Sequence, residues 1–177
     1  VNGTANSRSD VDCYFIPKTE RGYSFAADFM IDGVGYDIFP ISWERVGRIA
    51  DLQERMKDNL ANDVYVKKIA VRKCEEASRL CALLKQQHKT AQVRRLAGLL
   101  IMTLADTVAA DHHSYYHFGL KKQYEELQNL VPEVPKHIVD GYRKVVEAAS
   151  AEDVVKYAVS MYEDVCRSIG AEISLPQ

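Results

Sequence analysis

The chain has 177 residues, a formal net charge of -2, 47% hydrophobic residues and 27% charged ones. That balance excludes an intrinsically disordered chain and a diffuse basic surface for long nucleic acid. No run of about 18 apolar residues is present to cross a membrane as a helix, because the longest apolar stretch, Leu96 to Ala110, is broken by Thr103, Asp106 and Thr107.

The predicted elements begin with a strand over Val11 to Ile16, ended by Pro17. Thr19 is placed to cap a short helical segment reaching about Phe25 to Asp28. Two apolar runs follow, Phe29 to Ile31 and Val34 to Phe39, separated by Asp32-Gly33. Asp-Gly between such runs predicts a hairpin, since both residues tolerate the positive φ angles of a type I′ turn. Pro40 closes the second strand, and Ser42 is a predicted N-cap for a helix starting at Trp43. Trp43 itself is expected to be a core or inter-domain anchor.

From there helical periodicity dominates. The expected helices run over Val64 to His88, Ala91 to Asp111, Leu120 to Leu130, Pro135 to Ala149 and Ala151 to Ile169. The second of these is apolar on most sides and is expected to be central. Ser150 caps the last helix and Gly170 stops it. The sequence thus reads as α+β: a small mixed or antiparallel sheet over residues 1–42, then an α-helical bundle over 43–177. Cys13, Cys74, Cys81 and Cys166 have no zinc-like spacing. They are expected to be reduced thiols in a cytoplasmic protein.

Chemistry concentrates in Ser9-Asp10-Val11-Asp12 and in Asp37. Asp10 and Asp12 are two apart at the start of a strand, so their side chains share a face. Asp37 interrupts an apolar strand, where a carboxylate must face solvent or meet a partner. If the hairpin pairs beside the first strand, all three carboxylates come to one face. Adjacent carboxylates repel unless a cation lies between them, and an oxygen-only cage suits Mg²⁺ and phosphate chemistry, not zinc.

These residues carry a resemblance. Gly3-Thr4-Ala5-Asn6-Ser7-Arg8-Ser9-Asp10-Val11-Asp12-Cys13-Tyr14-Phe15, with Tyr36-Asp37-Ile38-Phe39, resembles the nucleotidyltransferase superfamily of the polymerase-β type. The similarity is to its small bacterial members with a C-terminal helical bundle on the substrate side, and it covers about the first 40 residues. The family pattern is a Gly-Ser pair after a strand, then Asp-x-Asp, then a third Asp on a neighbouring strand. The resemblance implies that Asp10, Asp12 and Asp37 hold two Mg²⁺ ions and that Asp37 helps deprotonate an acceptor hydroxyl. It implies that Ser9 orients the first carboxylate or contacts a phosphate. The substrates it implies are a nucleoside triphosphate and a small-molecule acceptor, aminoglycoside-like by analogy, with protein or RNA acceptors left open; composition, not the resemblance, points to no membrane partner and argues against nucleic acid.

The Gly-Ser pair is absent from the chain, which opens in mid-motif with Val1. The expectation is a fragment of a longer enzyme, inactive alone, and the alternative is a chain that lacks a complete nucleotide pocket. The strand that belongs before Val1 would leave a sheet edge uncovered, which predicts a homodimer through that edge or through the bundle. The alternative reading is a non-catalytic binding or interaction module whose carboxylates are remnants. A third is a domain stabilised by calcium or magnesium with no nucleotide role.

Weaker signals lie in His112-His113-Ser114-Tyr115-Tyr116-His117. His113 and His117 are spaced to share a metal if helical, and the tyrosines could line a substrate cleft. Arg94-Arg95 and Lys121-Lys122 read as solvated helix positions, and Glu44 as a first-turn residue favoured by the helix dipole.

Overall fold

The computed structural model describes residues 10–117, 119–129 and 134–171. The fold is α+β, with a small mixed sheet and, among the described residues, six α-helices. Ser9, Leu130 and the Val131-Pro132-Glu133 connection lie outside the described residues. Contacts divide the chain into two compact units, Val1–Lys57 and Asp58–Gln177.

In the first unit, β1 (Val11–Phe15) leads into a short 3-10 helix (Glu20–Ser24). The approach there is tight: a Cβ on Gly22 would lie 2.5 Å from the Pro17 ring, so only glycine closes this turn. Thr19 precedes the 3-10 helix but makes no side-chain cap bond. The strands β2 (Ala27–Ile31) and β3 (Val34–Pro40) form the hairpin. Asp32 and Gly33 carry φ of 51° and 80°, the positive values a type I′ turn demands. β2 is antiparallel to β3, and β1 pairs parallel to β3 on its other side, giving the order β1-β3-β2.

Helix α1 (Trp43–Leu60) begins where sequence placed it, with the Arg45 N–H donating to Ser42 Oγ at 3.1 Å. Glu44 sits in its first turn and pairs with Arg48 at 3.0 Å. Trp43 is no core anchor. It is 73% exposed, because the first turn of α1 carries it at the end of the sheet strand, with no described residue covering it.

The second unit is built on α2 (Asp63–Lys85), α3 (Thr90–Asp111), α4 (Gln123–Asn129), α5 (Lys136–Glu147) and α6 (Ala151–Ser168). α3 packs against α2 and α6, and α5 packs on α6. Its buried residues, among them Val93, Ala97, Leu100, Leu104 and Val108, run along one spine, and Ala105 and Ala109 keep neighbouring helices close. Cys74, Cys81 and Cys166 are buried free thiols in this unit, and Cys13 is a half-buried one on β1. The region expected as one helix over Leu120 to Leu130 is instead a 3-10 turn, Gly119–Lys121, followed by α4. Gly119, at φ 58°, sets off that turn.

Caps fix the helix ends. Asn62 accepts from the Tyr65 N–H at 3.0 Å at the start of α2. Ser150 Oγ accepts from the Asp153 N–H at 3.0 Å and donates to the Asp153 carboxylate at 2.7 Å at the start of α6. At the far end of α6, Gly170 has φ 65°, and the Ala171 N–H donates to the Cys166 carbonyl at 3.0 Å. Arg94 is not a free solvated residue: its guanidinium donates to the carbonyls of Ala148 and Ala149 at 3.0 and 3.2 Å, closing the end of α5.

Two substitutions separate packing from capping. Leu104→Ala, at a fully buried site, is expected to cost about 2–5 kcal/mol. Ser150→Ala is expected to cost about 1 kcal/mol. Urea denaturation of the two variants measures both, and equal losses would contradict the assignment of α3 as the centre of the core.

Candidate functional site

The sheet has two unlike faces, and the register decides which residues share each. Asp12 is the direct partner of Asp37, and Asp37 is the direct partner of Asp28. Direct partners in a sheet project to the same side, so the three strands present a row of three carboxylates. Asp10 is two residues before Asp12 and joins that face, where its Cβ lies 3.6 Å from the position a Cβ on Gly35 would take. The opposite face is apolar, carrying Val11, Cys13, Phe29, Tyr36 and Ile38, with Phe29 and Tyr36 stacked at 5.5 Å between ring centroids.

Asp10, Asp12 and Asp37, the three residues singled out by sequence, therefore lie on one face of the sheet. Sequence reasoning missed Asp28, which it treated as a surface residue. The signal was available: from the Asp-Gly turn, with Ile31 opposite Val34, counting back along the hairpin sets residue 28 against residue 37.

The electrostatics of the row follow from its geometry. Asp37 is half-buried, and its carboxyl is pushed above the ordinary aspartate value. Desolvation contributes most, followed by the charges of Asp28, Asp12 and Asp10, with a hydrogen bond that the protonated Asp37 carboxyl donates to Asp28 acting in the same direction. No lysine, arginine or histidine among the described residues pairs with any of these four carboxylates. Among the described residues no three His, Cys, Asp or Glu side chains converge closely enough to enclose a metal ion. Bare carboxylates lower their mutual repulsion by keeping apart. The donor set is nevertheless hard oxygen throughout and uncompensated in charge, which fits Mg²⁺.

The histidine cluster in the second unit is divided among separate partners. α3 ends at Asp111, so His113 and His117 are not on one helical face. His113 has φ 56°; its Nδ1 lies 2.6 Å from the Leu60 carbonyl, and its Nε2 lies 3.6 Å from Asp63. His117 Nδ1 lies 3.2 Å from Glu126 Oε1. Tyr115 and Tyr116 line a cavity of about 410 Å³ with Lys73, Asp106 and Gln123. The Tyr116 hydroxyl donates to the Ala105 carbonyl at 2.8 Å, and burial raises its pKa.

The Asp37 shift has a defined pH signature. Its folded-state pKa lies above its unfolded value, so the folded chain takes up the proton first as pH falls. The repulsive penalty is complete above the folded value, shrinks as pH drops through it, and is gone below the ordinary aspartate value. Asp37→Asn is accordingly expected to raise the melting temperature at neutral pH and to lose that advantage in acid. Paired melting curves across pH test this, and an equal offset at all pH values would refute the charge origin.

Compared with known proteins, the chain matches no family model, no curated protein and no solved structure.

Proposed function

We propose that this chain carries the carboxylate sheet of a nucleotidyltransferase of the polymerase-β type. The reaction is transfer of a nucleoside monophosphate from a nucleoside triphosphate to a hydroxyl group of a small acceptor, aminoglycoside-like by analogy. The observation that supports it best is the register itself: Asp12 stands opposite Asp37, with Asp10 on the same face and, among the described residues, no ion pair to any of them. A structural role offers no reason to set like charges side by side, whereas a cation-dependent phosphate site requires it.

Asp10 and Asp12 would hold Mg²⁺, with Asp37 completing the oxygen set. The metal supplies neutralisation of phosphate charge when bound. The chain's own contribution is placement and proton handling. Asp10 and Asp12, fixed on one strand, set where the triphosphate end of the substrate lies. Asp37, on the central strand, accepts the proton of the acceptor hydroxyl at a carboxylate oxygen. The hydroxyl oxygen then bonds to the α-phosphorus, the bond from that phosphorus to the bridging oxygen breaks, and pyrophosphate leaves. Ser9 enters this reading only as a neighbour of Asp10 in sequence.

The test uses the full-length gene product. Calorimetry with Mg²⁺ and a nucleoside triphosphate is expected to show binding that Asp12→Asn weakens at least about tenfold. Pyrophosphate release is expected to fall at least about a hundredfold in Asp37→Asn, the scale of losing a general base. Absence of any Mg²⁺-dependent triphosphate binding to the wild-type protein would leave the non-catalytic interaction module as the better reading.

A further inference from the structure

The helical unit holds a cavity of about 410 Å³ whose lining includes none of the four aspartates of the sheet. Helical spacing builds two of its walls. Val66, Ile69 and Lys73 recur along one face of α2, and Met102, Asp106 and Ala109 along one face of α3. Tyr115 and Tyr116 line it from the segment after α3. The Tyr115 ring lies against His117, with 4.5 Å between ring centroids.

Polar groups meet at one place on this wall. Lys73 Nζ donates to Asp106 Oδ2 at 2.9 Å, and Gln123 Nε2 donates to Asp106 Oδ1 at 3.2 Å. Gln123 Nε2 also donates to the Met102 carbonyl at 3.5 Å, and its Oε1 accepts from the Tyr142 hydroxyl at 3.3 Å. Both Asp106 oxygens and both ends of the Gln123 amide are therefore engaged. An ammonium group has three N–H donors, and among the described residues Lys73 has Asp106 as its one hydrogen-bond partner. Two donors remain on a side chain that is 33% exposed.

We propose that this cavity binds an uncharged aromatic small molecule through a carbonyl oxygen that accepts from Lys73. The volume is in the range of small-ligand sites. Charge selects the class. Lys73 and Asp106 are the charged residues of the described lining, and they neutralise one another. A cationic ligand would be set against Lys73, and a carboxylate against Asp106 on the same ammonium. Either brings a charge into a partly dry site that has no countercharge left for it. What Lys73 still offers is donors only, which calls for an acceptor oxygen. Tyr115, Tyr116 and Met102 supply rings and a thioether to a flat apolar body. The site stands independently of the nucleotide reading of the sheet.

Equilibrium dialysis of the full chain against three related probes tests this. Acetylnaphthalene carries the carbonyl, naphthalene lacks it, and the matching naphthoate carries a charge. The ketone is expected to bind about tenfold more tightly than either of the others, the scale of one hydrogen bond. Lys73→Met, which keeps the apolar stem, is expected to erase the advantage of the ketone over naphthalene, and Lys73→Arg to keep it. Tyr115→Ala, at an exposed position, is expected to weaken ketone binding about threefold to tenfold. Should a lysine variant fail to fold, the wild-type comparison and Tyr115→Ala decide the matter. Naphthoate binding as tightly as the ketone overturns the proposal. So does an absence of ketone binding to the wild-type chain, or full ketone affinity in Tyr115→Ala.

Discussion

Parallel pairing of β1 with β3 is the constraint on which the site depends. Strand registers come in whole residues, and the observed one sets Asp12 opposite Asp37 and Cys13 opposite Ile38. A slip by one residue would turn every β1 side chain to the other face of the sheet. It would carry Asp10 and Asp12 to the apolar side and bring Val11 and Cys13 among the carboxylates. The ladder holds this arrangement against the repulsion it creates. Each backbone hydrogen bond contributes about 0.5–1.5 kcal/mol, while like charges about 4 Å apart in water cost on the order of 1 kcal/mol. Aspartate is also poorly suited to strand interiors. The sheet thus keeps charged residues at positions where local preference and electrostatics both oppose them, and such positions are where function is expected to outweigh stability.

The helical unit follows different rules. Its interior is apolar along α3, with polar groups admitted only where they are matched. Gln123 is nearly fully buried at 2% exposure; its amide donates to Asp106 at 3.2 Å, and its carbonyl accepts from the Tyr142 hydroxyl at 3.3 Å. Asp106 also receives Lys73 at 2.9 Å. Thr103 and Thr107 return their hydroxyls to the carbonyls of Leu99 and Thr103 one turn earlier. Among the described residues no buried side-chain polar atom lacks a partner. The contrast with the sheet is physical: in the bundle the buried polar side chains are matched, and on the sheet no described basic side chain pairs with any of the four carboxylates.

Much of this architecture was legible because it rests on local signals. The hairpin follows from Asp32-Gly33, α1 and α6 from the caps Ser42 and Ser150, and the end of α6 from Gly170. The shared face of Asp10 and Asp12 follows from strand periodicity alone. Two features were not legible because each depends on contacts distant in sequence, and a third because residue type alone misled. Arg94 meets carbonyls more than fifty residues away. His113 leaves the helical path because the chain turns left-handed there and its ring meets the Leu60 carbonyl. Trp43 reads as a core or inter-domain anchor from its type, and in the first turn after β3 it is exposed and belongs to no core cluster.

Asp28 bears on how the row would work as chemistry. It contributes nothing to the Asp-x-Asp pattern, yet it is the direct partner of Asp37 and the largest single charge acting on it. A general base gains strength as its own pKa rises toward the working pH. The central strand is the one place in a three-stranded sheet where a carboxylate has a neighbour on both sides, and Asp37 occupies it. Asp12 and Asp10 press from β1 and Asp28 from β2, so both neighbouring strands raise the proton affinity of the same residue. An aspartate on either outer strand has a neighbouring strand on one side only. The strand order β1-β3-β2 therefore sets Asp37 apart among the four as the carboxyl whose proton affinity is raised from both neighbouring strands.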